Sequence, residues 1–404
     1  MIIVGAGPAG TAAAISLQSS DLSVALLDKA VFPRDKICGD ALSVDVVNQL
    51  KLLSPSLAQE FDDFTDKAPS YGVKIFAPDR NHIDLPFIYD DRKACGYIAQ
   101  RIDFDSLLVK HTANVPNVSI VEGCDVLSVQ VKENWVELGT RKGIFTCRMV
   151  IGADGAHSIV AKKLQNSKLD KDHYSAGLRV YYEGVTDFHP EKFIELHFFR
   201  DLLPGYLWIF PLPNDKANVG IGMLSSAVSR KKINLREMLE KFLSTDTILR
   251  ERFKSATALE TIKGFGLPLG SKQRQLSGDR YLLTGDAASL IDPFSGEGIA
   301  NAIRSGRIAA SHVAKCFERH NFSASFNVEY DRDVYRRIWK ELRLSRRMQK
   351  LCAYPLLFNF IVRKANQNQH IHQFLIESLA NIDKKRSLIH PSFYYRMLFP
   401  KQSH

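Results

Sequence analysis

The sequence predicts an α/β chain (α+β overall) with a Rossmann-like nucleotide-binding lobe, an interleaved antiparallel β-sheet domain and C-terminal helices. Three observations predict it. Residues 1–10 place a Gly-x-Gly-x-x-Gly turn directly after a buried strand. Residues 165–270 alternate apolar and polar side chains as sheet strands do, at 175–182 and 193–199, with one helix at 235–242. Residues 285–301 put Asp286 at a strand end, then a Pro/Gly-rich loop, then a helix opening at Gly298.

The elements follow in order. Gly5 allows the tight turn, Gly7 the close approach of a pyrophosphate, and Gly10 the packing of helix on strand; Pro8 and Ala9 complete the motif, and residues 11–18 read as a helix. The strand at 23–27 ends in Asp28-Lys29, and Asp28 stands 23 residues after Gly5, where a carboxylate suits a ribose hydroxyl. Residues 61–97, with a strand at 71–76, leave the lobe. The chain returns with Arg101 ahead of a helix patterned Phe104, Leu107, Leu108, and with the strand at 150 running into the Asp154-Gly155 turn. Tyr206, Trp208 and Phe210 alternate and so share one face of a strand, and Gly220 and Gly222 thin the next strand. Such an aromatic strand is an ordinary sheet core when isolated; the flanking prolines and the Gly-x-Gly spacing favour a ligand wall instead. Finally, the strand at 281–284 runs into Gly285-Asp286, and Pro293, Gly296, Gly298 and Ile299 lead a helix N-terminus whose free N–H groups favour an anion.

Composition narrows the function classes. With 404 residues, 45% of them hydrophobic, the chain can bury a large core. No run approaches the roughly 20 apolar residues of a spanning helix, and no secretory signal precedes Gly5. Six cysteines without metal-like spacing fit free thiols in a reducing cytosol, so no metal centre is expected. Residues 336–404 carry 14 Lys/Arg against 3 Asp/Glu, which leaves the first 335 residues at a net charge of −1. Val334, Ile338 and Leu342 recur at i+4 among those cations, and the aromatic segments 354–362 and 393–399 follow. This pattern predicts peripheral contact with an anionic membrane, at its cytoplasmic inner face; the alternative is a solvated helical cap on the nucleotide lobe. Nucleic acid is excluded as a partner because no recognised module accompanies the charge.

With these motifs in order over residues 1–310, the chain resembles the flavoprotein superfamily typified by p-hydroxybenzoate hydroxylase. The resemblance implies FAD as cofactor, with Asp28 at the adenosine ribose, Arg101 at the pyrophosphate, Asp286 at the ribityl chain and the 296–299 turn at the pyrimidine end of the flavin. Residues 204–222, Pro-Gly-Tyr-Leu-Trp-Ile-Phe-Pro followed by Gly220-Ile221-Gly222, are similar to the signature of the geranylgeranyl reductase family within it. That family places the Cys38-Gly39 pair near the flavin ring, where a thiol would tune reactivity or relay a proton. Arg34 and Lys36 meet either phosphate or solvent. His157 and Ala161 stand where related hydroxylases carry arginines, which leaves the electron donor open between NAD(P)H and a ferredoxin-like protein.

The expected organisation is therefore an FAD-binding domain at 1–60, 98–164 and 271–335, a substrate domain at 61–97 and 165–270, and a basic helical region at 336–404. The expected activity is FAD-dependent saturation of C=C bonds in a prenyl or related lipid. Cys38, Tyr206 and Trp208 are the candidate catalytic residues, and Tyr206, Trp208, Phe210, Gly220 and Gly222 the substrate wall. The rivals are a flavin monooxygenase or halogenase and a non-catalytic prenyl-binding protein. Trp208-Ile209-Phe210-Pro211 lacks the paired tryptophans of the halogenase motif, and intact FAD motifs argue against the binding protein.

Overall fold

The computed structural model describes residues 1–89, 92–166, 168–380 and 387–388. Five short apolar strands, Val118–Val121, Val24–Leu27, Ile2–Val4, Val150–Gly152 and Tyr281–Leu283, lie parallel in that order, and Ser277–Gly278 closes the sheet antiparallel. Ile2, Ile3 and Val4 are all buried, as a parallel sheet covered on both faces requires. The first helix spans Pro8–Ser16 and so starts earlier than the expected residue 11, because a proline has no N–H to leave unsatisfied at a first helical position. It packs on the helix Ile299–Glu318 so closely that a Cβ on Gly306 would stand 2.3 Å from the Ala9 carbonyl oxygen.

The second sheet is built mainly of antiparallel pairs. Its order is Thr257–Ala258, Tyr174–Glu183, Lys216–Leu224, Tyr206–Pro211, Ile194–His197, Gly72–Phe76 and His82–Pro86, with Lys263–Pro268 also pairing Tyr174–Glu183. One junction is parallel, between Ile194–His197 and Gly72–Phe76. The helices Leu235–Thr245 and Thr247–Arg252 bury Leu239, Phe242 and Leu249 against Leu207, Ile209, Val219 and Ile221 on the back of this sheet. The opposite face carries the aromatic wall. The expected stretches 175–182, 193–199 and 235–242 are thus found, the second shortened to Ile194–His197. One feature was not expected: residues 126–147 form a separate antiparallel sheet of their own.

The helix Ala324–Leu351 buries Tyr330, Val334, Ile338 and Leu342 in the core of the nucleotide lobe. The following helices then cross to the other sheet, where Val362, Ala365 and Ile376 pack on Val73, Ile83 and Leu85. The C-terminal helices therefore bridge both halves instead of capping one. Among the described residues no helix is long and apolar enough to cross a membrane. The aromatic segment 393–399 lies outside the described residues.

Candidate active site

Two glycines are required by the backbone around the first turn. Gly5 has φ +101, and a Cβ on Gly10 would lie 1.8 Å from the Gly5 carbonyl oxygen. Gly7 is different: the nearest atom to a Cβ there is the Arg34 guanidinium at 3.7 Å, so space remains beside the uncapped N-terminus of the helix Pro8–Ser16. Asp28 is buried, and its carboxylate accepts from the backbone N–H of Ala6 and of Ala30, both at 2.8 Å. It thereby holds the loop while keeping lone pairs for a hydroxyl. Lys29 points to solvent.

Arg101 is the first residue of its helix, Arg101–Ala113, and not a residue ahead of it. Its buried guanidinium forks Asp105 with two bonds of 2.7 Å, and Arg34 reaches the same carboxylate at 2.6 Å. Burial alone would raise the Asp105 pKa, but the two guanidinium groups outweigh it and hold the acid low. Two cations on one carboxylate leave net positive charge next to Gly7. Arg34 is the less buried member of the pair, so the arginine nearest the turn is the one the sequence leaves open between phosphate and solvent.

Further along, Asp286 pairs with Lys36 at 3.0 Å. The Asp292 carboxylate accepts from the N–H groups of Phe294 and Ser295, which shapes the turn to Gly296, at φ +74. Gly298 caps the helix Ile299–Glu318 without a side-chain bond, and a Cβ on it would lie 3.2 Å from an Asp286 oxygen. The strand-end acid and the helix tip are thus adjacent. Asp154 is placed otherwise: its buried carboxylate accepts from the Ser158 hydroxyl and the N–H of Ile159 and caps the next short helix, while Gly155 beside it borders open space. A dinucleotide fits this edge, since it offers two uncapped helix N-termini, an anchored acid at each end and an unbalanced pair of arginines.

The segment 36–43 straps this edge to the second sheet. Lys36 holds Asp286 at one end, and the Ser43 hydroxyl donates to Glu297 at the other. Burial pushes the Glu297 pKa up to about 7, with Asp45 and Asp292 adding to it. In the middle, the Asn218 amide donates to the Cys38 carbonyl at 2.8 Å, and Gly39 sits so close to Phe210 that a Cβ would lie 3.1 Å from its ring. Asp40 is fully buried at φ +66 and accepts from the Tyr181 hydroxyl at 2.6 Å and from Asn218 at 2.8 Å. Its second oxygen has no partner, and burial pushes its pKa up to about 6.

The strand register explains the wall. Tyr206, Trp208 and Phe210 stand opposite Gly222, Gly220 and Asn218, which in turn face Gly177, Arg179 and Tyr181. A Cβ on Gly220 would lie 2.1 Å from the Trp208 ring, and one on Gly177 would lie 2.8 Å from Phe265. Gly220 therefore makes room for the wall's own tryptophan, not for a ligand, which corrects the expectation. Gly222 does border the cavity, along with Phe198, Tyr206, Trp208, Phe294 and Gln349. The Tyr206 hydroxyl donates to the Ser295 carbonyl, and burial holds its pKa well above the usual phenol value. Sequence reading missed Asp40, Asn218 and Tyr181 as members of the site, and included Glu297 only within the 296–299 turn. For Asn218 a signal existed, because it shares strand parity with Gly220 and Gly222.

The FAD binding domain family matches residues 1–321. Among characterised proteins, the menaquinone reductase of Mycobacterium tuberculosis is 29% identical over 323 residues, covering 77% of this chain and 75% of its own. The digeranylgeranylglycerophospholipid reductase of Methanosarcina acetivorans is 27% identical over 348 residues, covering 84% and 80%. Among solved structures, a geranylgeranyl bacteriochlorophyll reductase-like protein from Thermoplasma acidophilum superposes with a TM-score of 0.75 at 23% identity, over 89% of this chain and 90% of the other. A point mutant of the halogenase PltM in complex with FAD superposes with a TM-score of 0.74 at 16% identity, over 98% and 89%.

Proposed function

Because the chain belongs to the FAD binding domain family, we propose that it is an FAD-dependent reductase that saturates C=C bonds in the prenyl chain of a lipid. The observation that carries this reading is the apolar cavity whose wall of Tyr206 and Trp208 meets the Pro293–Gly296 loop just ahead of the uncapped helix tip. The two reductases above are named for a menaquinone and for a digeranylgeranyl glycerophospholipid, whose common chemical part is a polyprenyl chain.

Asp28 holds the adenosine ribose, and Gly7, Arg34 and Arg101 hold the pyrophosphate. Asp286 and the 296–299 turn hold the ribityl chain and the electron-rich end of the ring, where the helix dipole favours negative charge. Reduced FAD supplies a hydride to one alkene carbon when bound. Isolated alkenes accept hydride poorly, so the wall must align the chain and exclude water from the reacting carbons. Cys38 and Tyr206 are the candidate proton donors: Tyr206 lines the cavity with its hydroxyl hydrogen engaged by the Ser295 carbonyl, and the Cys38 side chain bonds Arg101 on the cofactor edge. The electrons come from NAD(P)H or a ferredoxin-like protein, and residues 336–404 keep the enzyme at a membrane that holds its substrate.

Anaerobic incubation of the reduced holoenzyme with a polyprenyl lipid, followed by mass spectrometry, tests the reading. Two added hydrogens per saturated bond are expected. Product formed only in air, carrying oxygen or halogen, would establish the monooxygenase or halogenase alternative instead.

A further inference from the structure

The C-terminal end of the helix Ala324–Leu351 borders the cavity, where Gln349 and Cys352 complete its lining. Gln349 is fastened there by a 2.5 Å bond from its amide to the Pro293 carbonyl of the cofactor loop. The chain then emerges at once. Tyr354 and Leu356 stand at the start of the helix Pro355–Gln367 with 63% and 76% of their surface exposed, and Leu356 is the most exposed large apolar side chain among the described residues.

The same long helix carries an ordered set of cations. Arg336, Lys340, Arg343, Arg347 and Lys350 are all exposed. Their spacing of 4, 3, 4 and 3 residues confines them, at about 100° per residue, to an arc of roughly 80°. The buried Val334, Ile338, Leu342, Ser345 and Gln349 occupy the opposite side. The cationic stripe therefore runs along the outer face of the helix and ends at Lys350, with the cavity-lining Cys352 between it and the exposed pair Tyr354 and Leu356.

We propose that this stripe and the Tyr354–Leu356 lip form one membrane-docking surface, which seats the Gln349–Cys352 side of the cavity on an anionic bilayer. Charge selects the surface, because each Lys or Arg close to anionic lipid adds about 1 kcal/mol, a factor of about five in partitioning. The apolar pair gives the depth, since Leu356 and the Tyr354 ring have no protein surface to cover and lie where a lipid tail would leave the bilayer. An acidic redox protein would suit the stripe, but it would not call for two exposed apolar side chains at its end. The proposal rests on the lipid reading of the cavity for its purpose, though not for its measurement.

Flotation of the purified holoenzyme with phosphatidylcholine vesicles and with mixed phosphatidylcholine–phosphatidylglycerol vesicles tests it. Binding to the mixed vesicles alone, weakened by salt, is expected. Arg343→Glu with Arg347→Glu removes two cations and lowers partitioning by at least about 25-fold, and Leu356→Ser lowers it by about tenfold. Bound flavin and Tm should be unchanged in both variants, since none of these side chains touches the cavity or the cofactor edge. Equal binding to both vesicle types, no binding, or variants that float like the parent would overturn the proposal. So would variants that float normally but accept electrons more slowly, which would assign the stripe to a redox partner. A protein that docks as expected but reduces no prenyl lipid leaves the surface standing and removes the function; one that reduces detergent-dispersed lipid without docking does the reverse.

Discussion

The two halves of the active site are made in different ways. On the parallel sheet, the cofactor edge is backbone: glycines at Gly5, Gly7 and Gly298, helix N-termini, and acids that are themselves tied to N–H groups. On the antiparallel sheet, the substrate wall is side chain: Trp208 laid into the gap at Gly220, and Asn218 joining Trp208, Cys38 and Asp40 across three separate segments. A backbone site is local in sequence, because turn and helix start lie within a few residues. A side-chain site is local only in space. The first half should therefore fail all at once when its geometry is touched, and the second should fail by degrees.

The largest effect is expected at Gly10. Its Cβ would need to stand 1.8 Å from the Gly5 carbonyl oxygen, so Gly10→Ala must open the first strand–helix unit. A loss of more than about 4 kcal/mol is expected, seen as a colourless protein with no stoichiometric FAD and a much lower Tm. A yellow, stable variant would break the comparison at its firmest point.

Next comes a matched pair on the wall. Gly220→Ala places a methyl 2.1 Å from the Trp208 ring. It should cost about 2–3 kcal/mol by overpacking, with red-shifted tryptophan fluorescence and FAD retained. Gly222→Ala meets its nearest atom only at 3.6 Å, so its Tm should move by less than about 0.5 kcal/mol equivalent while lipid binding weakens. Equal stability losses in the two would mean that the register does not set the wall.

Much of the cofactor half was legible in the sequence, because the spacing of Gly5, Gly7, Gly10 and Asp28 maps directly onto a turn, a helix tip and a strand end. Even there Arg34 was left between phosphate and solvent and Arg101 was placed on the pyrophosphate alone, since the carboxylate that both share, Asp105, is visible only once the helix and the segment ahead of the strap meet. In the substrate half the aromatic strand was legible by its alternation. Its purpose for Gly220 was not, because that depends on how Trp208 turns. Asp40 was unreadable for the same reason: its donors, Tyr181 and Asn218, come from strands 141 and 178 residues away.

Two buried titrations sharpen the contrast and run in opposite directions. His197 lies on the back of the substrate sheet, where Arg80 donates to Nδ1 at 3.1 Å and the ring faces Glu195, itself forked by Arg252. Burial lowers its pKa from 6.5 to about 4. A depressed histidine contributes stability above the unfolded value, so about 3 kcal/mol is lost as the pH falls from 6.5 toward 4. Asp40 behaves inversely, because burial raises it from 3.8 to about 6. Its contribution is present below pH 3.8 and is lost as the pH rises through 6, again by up to about 3 kcal/mol. Asp40→Asn keeps an acceptor for Tyr181 and carries no charge, so its Tm should exceed that of the parent at pH 8 and match it near pH 4. A variant less stable than the parent at pH 8 would show that Asp40 is needed as an anion.

A single hydrogen bond is at stake where the two halves touch. The Tyr206 hydroxyl donates to the Ser295 carbonyl, and a Cβ on Gly296 would lie 3.2 Å from the hydroxyl oxygen. Tyr206→Phe leaves the ring in the wall and removes only this bond. Ser295 is exposed, so its carbonyl can turn to water, and the cost in stability should be about 1 kcal/mol. If Tyr206 only fastens the wall to the cofactor loop, lipid turnover should fall by less than about tenfold, through a raised KM. If its proton reaches the substrate carbon, kcat should fall by about a hundredfold or more, the ordinary size of a lost general acid. The first outcome makes Tyr206 the joint between the halves and leaves the proton to another group; the second moves the chemistry onto the joint itself.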